Sequence, residues 1–396
     1  MVDFPLEPDT LLVRGGLERS AFGETAEAIY LTSGFVYDSA EAAEARFKGE
    51  APGFIYSRYG NPTVRMFERR LAQLEGAEAC YGTASGMAAV WAGLLAHLKA
   101  GDHLVASRVL FGSCVYIVQT LLPRFGIEAT LVDGADLAAW ENAIRPNTKL
   151  FFLETPANPT LALIDLEAVA GIAHRHGIRL VVDNALASPI VQLPTRLGAD
   201  VVIYSATKHI DGQGRCLGGA ILAKEEWLTK EFQPFLRHTG PALSPFNAWV
   251  LVKGLETLAL RVERASTTAL ALAQEIEAHG AVRRTWYPFL DSFPQRALAL
   301  RQMATGGTLV AFDLGSKPAA FAFLNALQIV DISNNLGDAK SLITHPATTT
   351  HRTLPDADKA AAGITQGLVR LSVGLESVKD LSRDIGRALD AARAAA

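Results

Sequence analysis

The most constraining feature of this sequence is a regular alternation of short apolar runs with helical patterns between residues 103 and 222. In one helical pattern Leu166, Val169 and Ala173 share a face, Asp165 precedes them as a helix cap, and Gly177 closes the segment. The predicted strands are His103–Ser107, Ala129–Val132, Lys149–Glu154, Ile178–Asp183, Asp200–Tyr204 and Gly218–Leu222. Continuous apolar strands that alternate with helices predict an α/β fold, with a mostly parallel sheet covered on both faces.

The rest of the chain divides around this unit. Residues 1–55 have weak periodicity and are expected to form an N-terminal arm, and residues 56–250 hold the large α/β domain. A long helical pattern from Pro245 to His279, interrupted only by Gly254, looks like a connector between domains. A smaller α+β unit follows, so residues 251–396 are predicted to be a linker helix and a C-terminal domain.

Charge and cysteine content exclude several classes of protein. The chain has 37 Lys plus Arg against 41 Asp plus Glu, without a basic block, so a nucleic-acid partner is not expected. No segment reaches membrane-spanning length, and the N-terminus lacks the features of a signal peptide. Cys80, Cys114 and Cys216 lack the spacing of a disulfide framework or a zinc site. We therefore expect a cytoplasmic protein without a metal centre.

Polar residues follow three of the predicted strands, where ligands of open α/β sheets are bound. These segments are Glu154–Pro159, Asp183–Asn184 and Ser205–His209. A carboxylate, two hydroxyls and a lysine at one sheet edge could hold a cationic aromatic ring and a phosphate, and supply an amine for Schiff-base chemistry. Singly, each residue has a structural alternative, as a turn cap, a helix cap or a surface lysine. Together they favour a site.

Two glycine-containing segments are ambiguous. The helix start at Gly82–Met87 could bind a phosphate through its free N–H groups, or it could be an ordinary turn capped by Ser85. The run Asp211–Gly219 superficially resembles a dinucleotide fingerprint, but its spacing is wrong and it precedes a strand. We interpret its glycines as a source of backbone flexibility near a phosphate or at the edge of the substrate site.

Several longer motifs resemble those of a known family. They are Tyr56–Thr63, Ala84–Met87, Glu154–Pro159, Val182–Asn184 and Ser205–Lys208, in that order along the chain. The same motifs occur in this order in the trans-sulfuration (Cys/Met metabolism) enzymes, which depend on pyridoxal 5'-phosphate. The resemblance extends nearly from end to end, and it implies fold type I of the pyridoxal-phosphate enzymes.

The resemblance also implies a role for each matching residue. Lys208 would be the catalytic lysine that anchors the cofactor, Asp183 would pair with the ring nitrogen, and Arg370 would bind the substrate α-carboxylate. Substrate contact is also expected from Asn335. The other implied cofactor-binding residues are Gly86, Met87, Ser205 and Thr207 at the phosphate, Tyr56 and Arg58 from a neighbouring subunit, Asn158 near the ring hydroxyl, and Phe111 stacked on the ring.

Within the family, three segments most resemble the branch that makes homocysteine from O-succinylhomoserine and sulfide in methionine biosynthesis: Leu110–Cys114, His209–Arg215 and Ile332–Pro346. The resemblance implies a homotetramer, a dimer of dimers with active sites shared between subunits. Alternatives are a cystathionine γ-synthase, a γ-lyase, an O-acetylhomoserine sulfhydrylase, or, from a different class, a non-catalytic protein with this fold.

Three positions depart from many relatives. Phe111 stands where a stacking Tyr is common, Asn335 where several lyases have Ser, and Lys340 where several have Glu. Loss of the acidic group favours sulfide over cysteine as the acceptor. A succinyl leaving group adds a carboxylate that calls for a cation, and the sequence offers Arg108, Arg215, Arg237 and Arg352 without choosing among them.

Overall fold

The structure is a computed structural model that describes residues 5–395, and it contains two β-sheets. The larger sheet has seven strands in the order β1-β7-β6-β5-β4-β2-β3. Its strands are β1 (Ala79–Thr83), β2 (His103–Ser107), β3 (Glu128–Val132), β4 (Thr148–Glu154), β5 (Arg179–Asp183), β6 (Val201–Tyr204) and β7 (Gly219–Ala223).

The smaller sheet has five strands in the order β10-β11-β12-β9-β8. They are β8 (Arg284–Trp286), β9 (Leu309–Asp313), β10 (Asp331–Ile332), β11 (Leu342–Thr344) and β12 (Leu368–Ser372). The long helix Leu258–Ala278 contacts β8 and β9 of the smaller sheet and also the helix Ser188–Val191, which follows β5 of the larger sheet, so it links the two parts of the chain.

Helices make up much of the remaining chain. The α-helices are Pro8–Arg14, Ala40–Lys48, Pro62–Glu75, Gly86–Leu95, Gly112–Tyr116, Leu122–Arg124, Leu137–Asn142, Leu166–Arg175, Ser188–Val191, Glu225–Trp227, Gln233–Thr239, Pro245–Leu255, Leu258–Ala278, Arg296–Gln302, Lys317–Ala326, Asp356–Ala361 and Val378–Ala394. Ile117–Leu121 and Leu228–Phe232 are π-helical, and Pro194–Leu197 and Pro346–Thr348 are 3-10 helices. Within residues 5–395 no helix is long and apolar enough to cross a membrane.

The prediction of a mostly parallel sheet is confirmed. Strands β6, β5, β4, β2 and β3 pair in parallel, and β7 runs antiparallel to both β6 and β1. Along β5, Leu180 and Val182 enter one apolar cluster while Val181 enters the other, so both faces of the sheet are buried. The edge strand β1 escaped the sequence analysis because Gly82 and Thr83 interrupt its apolar run.

The helical connector is two helices rather than one. The chain breaks between Pro245–Leu255 and Leu258–Ala278, after Gly254. Gly254 itself remains helical, and a Cβ there would lie 2.3 Å from the carbonyl oxygen of Ile210. The glycine therefore permits a close contact with the turn that follows Lys208. The division into units 1–55, 56–250 and 251–396 stays a proposal.

Candidate active site

The carboxyl ends of three parallel strands converge on one cavity. Glu154 at the end of β4 is in register with Asp183 at the end of β5, and the segment after β6 carries Lys208. The cavity has a volume of about 340 Å³, which suits a small organic ligand. Among the predicted site residues, those lining it are Gly86, Met87, Phe111, Asn158, Asp183, Ser205, Thr207, Lys208 and Arg370.

Lys208 presents its amine to this cavity. Its Nζ donates a hydrogen bond to Oδ1 of Asn335 at 2.6 Å, which brings the predicted substrate-contact residue to the lysine. Burial, helped by the nearby charge of Arg370, lowers the pKa of Lys208 to about 8. At pH 7 an amine with this pKa is neutral in roughly a tenth of the molecules, against well under roughly 0.1% for an ordinary lysine, so it is far better placed to act as a nucleophile or a base.

Arg261 fixes the turn that carries Lys208. Its guanidinium group donates to the carbonyls of His209 at 2.7 Å, Ile210 at 3.2 Å and Gly254 at 2.7 Å. These bonds tie the turn after Lys208 to the helices Pro245–Leu255 and Leu258–Ala278. The lysine is thus held by a packed framework rather than by a free loop.

Arg370 lies on the central strand β12 of the smaller sheet and is 1% exposed. It donates to Oδ1 of Asn158 at 2.8 Å and to the carbonyls of Asn334 and Asn335 at 3.0 and 3.2 Å. Its Nε is buried and has no partner among residues 5–395. Burial lowers its pKa to about 10, so it remains a cation at neutral pH. The unused N–H fits a carboxylate ligand.

Two carboxyl groups lie at the floor of the cavity. Burial raises the pKa of Asp183 to about 6, and its Oδ1 accepts the N–H of Ala185 at 3.0 Å. Burial and the charge of Asp183 raise the pKa of Glu154 well above its usual value. A ligand that carries a protonated ring nitrogen would compensate the charge of Asp183.

The helix Gly86–Leu95 begins at the same cavity, which its first residues Gly86 and Met87 line. Ser85 caps it by accepting the N–H of Ala88 at 3.1 Å, and this cap is compatible with a phosphate bound at the other N–H groups of the first turn. The first-turn N–H groups of Gly86 and Met87 have no acceptor within the helix. A Cβ at Gly86 would lie 2.7 Å from Cβ of Ser205, which keeps the helix start close to the hydroxyl-bearing segment. This cradle fits a phosphate group.

The glycines before β7 have a packing role in the same cradle. A Cβ at Gly219 would lie 2.2 Å from the carbonyl oxygen of Ser85. The carbonyl of Gly218 accepts the N–H and the hydroxyl of Thr207, each at 3.2 Å. Close approach of the Ser85 backbone therefore explains Gly219, and a Cβ at Gly218 would lie 2.7 Å from Cδ1 of Leu251. The flexibility suggested for this run stays a prediction.

Tyr56 and Arg58 do not line the cavity of their own chain. Tyr56 is 42% exposed, and the guanidinium of Arg58 lies 5.6 Å from the Tyr56 ring and 4.9 Å from the Tyr59 ring. Arg58 also donates to the carbonyl of Arg237. The two residues therefore make no contribution to the cavity of their own chain, and their assignment to a neighbouring subunit's site stays a prediction.

Some cavity residues had no assigned role in the sequence analysis. Glu154, Asn334 and Thr350 line the cavity with the predicted residues. Glu154 carried a detectable signal, because it ends a predicted strand in register with Asp183. The contributions of Asn334 and Thr350 come from loops of the smaller unit, whose approach to the cavity no local pattern indicates.

Pyridoxal phosphate is bound at three points: its aldehyde, its ring nitrogen and its phosphate. The cavity offers a group for each, namely a lysine amine, a buried carboxylate and a phosphate cradle. The residues present therefore fit this cofactor. Its ring would lie between Lys208 and Asp183, with the phosphate near the Gly86 helix start and Ser205.

Comparisons with known proteins agree with this geometry. The family model "Cys/Met metabolism PLP-dependent enzyme" matches residues 9–390. The O-succinylhomoserine sulfhydrylase of Mycobacterium tuberculosis is 54% identical over 385 residues, covering 96% of this chain and 95% of that protein. The enzyme of the same name from Pseudomonas aeruginosa is 50% identical over 384 residues, covering 97% and 95%.

A solved structure extends the similarity to the fold. A putative O-acetylhomoserine (thiol)-lyase from Campylobacter jejuni superposes with a TM-score of 0.93 and 32% identity, covering 97% of this chain and all of that one. That crystal structure contains N'-pyridoxyl-lysine-5'-monophosphate. With its fold and cavity, this chain belongs to the Cys/Met metabolism family of pyridoxal-phosphate-dependent enzymes.

Proposed function

We propose that this enzyme converts O-succinyl-L-homoserine and sulfide to L-homocysteine and succinate, a transferase reaction of methionine biosynthesis. The observation that carries the proposal is the 54% identity, over 96% of the chain, to a protein named O-succinylhomoserine sulfhydrylase. The cavity supports it, because Lys208, Asp183 and Arg370 together provide for chemistry on an α-amino acid.

In the reaction a Cγ–O bond breaks and a Cγ–S bond forms. Succinate leaves with the electron pair of the broken bond, and hydrosulfide supplies the sulfur and the pair of the new bond. When bound, pyridoxal phosphate supplies a conjugated cationic ring that delocalises the negative charge left by loss of the α-proton. The protein has to hold this ring, orient the substrate and move protons.

Lys208 is the proposed acid and base as well as the anchor of the cofactor. The neutral Nζ takes the α-proton of the substrate and then exchanges a proton at the β-carbon. Its lowered pKa of about 8 makes the neutral amine far more abundant than in an ordinary lysine. Oδ1 of Asn335 holds the Nζ of the free protein at 2.6 Å. Since Phe111 has no phenol, Lys208 also takes over any proton transfer that a Tyr performs in relatives.

The remaining residues bind and orient. Arg370 binds the substrate α-carboxylate, aided by Asn335, while Asp183 keeps the ring nitrogen protonated. Phe111 stacks on the ring and Asn158 contacts its hydroxyl side. The phosphate is bound by Gly86, Met87, Ser205 and Thr207.

The four arginines considered for the succinyl carboxylate differ in their surroundings. Arg215 is engaged by Asp211, with Nε 2.9 Å from Oδ1, and Arg237 lies 4.2 Å from the centre of the Tyr59 ring. Arg108 lines a second cavity of about 230 Å³ that shares Asn158 with the first, although Asp358 lines it too. We therefore take Arg108 as the candidate cation, ahead of Arg352, which lines neither of these two cavities.

We further propose a cytoplasmic homotetramer, a dimer of dimers in which Tyr56 and Arg58 complete a neighbouring subunit's phosphate site. The N-terminal arm supports an association with a second copy, because it leaves Phe22 95% and Val36 93% exposed. Three unpaired cysteines fit a reducing compartment.

The test of this function uses the purified, cofactor-loaded protein with O-succinylhomoserine and sulfide. Homocysteine should form with the wild-type protein and not with Lys208→Ala, which also should lose the absorbance of lysine-bound cofactor. Homocysteine formation that survives in Lys208→Ala would disprove the assignment. Release of 2-oxobutyrate without an acceptor would instead indicate a γ-lyase.

A further inference from the structure

One buried carboxyl group at the cavity has no role in the proposed reaction. Glu154 is 1% exposed, lies at the end of β4 and lines the cavity. Its Oε2 accepts the backbone N–H of Phe111 at 2.6 Å. This short hydrogen bond fixes the position of the Phe111 backbone where it reaches the cavity.

The backbone of Phe111 is held on its other side as well. Its carbonyl accepts the N–H groups of Cys114 at 2.8 Å and Val115 at 3.1 Å, which opens the helix Gly112–Tyr116. The phenyl ring itself has no polar atom that could anchor it. Its position at the cavity therefore depends on apolar packing and on these backbone bonds, of which Glu154 provides the one from the sheet.

The surroundings of Glu154 disfavour a second negative charge. Its strand partner in register is Asp183, which lines the same cavity, and Arg370 is the nearby cation that acts on Glu154. Burial and the charge of Asp183 both raise the pKa of Glu154, against the weaker effects of the Phe111 and Asn158 N–H groups and of Arg370. A neutral carboxyl group still accepts a hydrogen bond through its carbonyl oxygen.

We propose that Glu154 is a positioning residue that holds Phe111 against the cofactor ring through the Phe111 N–H. This inference rests on the proposed site, in which Phe111 stacks on the ring. It assigns to Glu154 a purely geometric task, whereas Asp183 carries the charge that the ring nitrogen requires.

Two substitutions separate geometry from charge. Glu154→Gln keeps the length and an acceptor oxygen but cannot ionise, whereas Glu154→Asp keeps the carboxyl group and shortens it by one methylene, so that it no longer reaches Phe111. If the position of the group matters, Glu154→Gln retains cofactor binding and Glu154→Asp weakens it. If charge matters, the order is reversed. Glu167, an exposed helix residue, offers matched Gln and Asp controls.

The measurements are cofactor affinity of the apo-protein, by equilibrium dialysis, and the visible circular dichroism of the bound cofactor, which reports how rigidly an achiral ring is held. We expect Glu154→Gln to stay within about 3-fold of wild-type affinity with its dichroism intact, and Glu154→Asp to bind about 10-fold more weakly with a reduced signal. Weak binding by the Gln variant, or normal binding by a folded Asp variant, would overturn the proposal.

Phe111→Leu provides a second check, both alone and in combination with Glu154→Asp. Both changes disturb the same contact between the Phe111 ring and the cofactor. Their losses of cofactor affinity should therefore not add in the double variant. Additive losses would contradict a role through Phe111. If Phe111→Leu alone leaves affinity and dichroism unchanged, the fault lies in the proposed stacking, and the inference about Glu154 fails with it.

Discussion

The lowered pKa of Lys208 makes a quantitative prediction about how the apo-protein takes up its cofactor. Attachment of an aldehyde to a lysine requires the neutral amine, so the attachment rate follows the deprotonated fraction. At pH 8 a group with a pKa of about 8 is half deprotonated. An ordinary lysine is deprotonated to only roughly 0.3% at the same pH.

Stopped-flow mixing of apo-protein with pyridoxal phosphate between pH 6 and pH 10 would measure this dependence through the absorbance of the attached cofactor. The second-order rate constant should rise with pH and level off around a midpoint of about 8. Nα-acetyl-lysine, run in parallel, should continue to rise to the end of the range. A protein midpoint near the ordinary value of lysine would refute the argument from burial.

The variant Arg370→Gln tests the second cause of the shift. The charge of Arg370 lowers the pKa of Lys208, so its removal should move the midpoint to higher pH. The sign is definite, because a nearby cation disfavours the protonated amine. A midpoint that moves to lower pH would show that the two groups do not interact as the structure indicates.

Three further substitutions test other parts of the site. Arg370→Lys should lower kcat/KM about 100-fold, since it replaces the planar guanidinium fork with a single ammonium group. Steady-state kinetics measures this loss, and an unchanged unfolding temperature would show that it does not come from misfolding. Gly86→Ala should weaken cofactor binding at least about 10-fold, because the new Cβ would lie 2.7 Å from Cβ of Ser205, whereas Gly171→Ala, in open helical surroundings, should bind normally. Arg108→Gln should raise KM for O-succinylhomoserine but not for O-acetylhomoserine, and equal effects on both substrates would remove Arg108 from the succinyl site.

Much of the larger domain could be predicted because its signals are local. The central strands are continuous apolar runs, and the polar residues at their carboxyl ends mark the cavity floor. Asp165 does cap its helix, by accepting the N–H of Ala168 at 3.1 Å. Lys208, Asp183 and Ser205 could be grouped for the same reason, since parallel strands bring their ends to one edge.

Other features depend on contacts between distant parts of the chain. The edge strand β1 is ordered by pairing with β7, about 140 residues later. The role of Gly254 follows from a contact with Ile210, and the contacts of Arg370 with Asn334 and Asn335 join a strand to a loop. Only the resemblance to a family anticipated Arg370, because a buried arginine on a strand has no distinguishing local pattern.

The central claim concerns which acceptor the enzyme uses. The most direct measurement gives the purified, cofactor-loaded protein O-succinylhomoserine with sulfide and cysteine at equal concentration, and quantifies homocysteine and cystathionine. We expect homocysteine to dominate, with little cystathionine. Predominant cystathionine would contradict the account and identify the protein as a cystathionine γ-synthase.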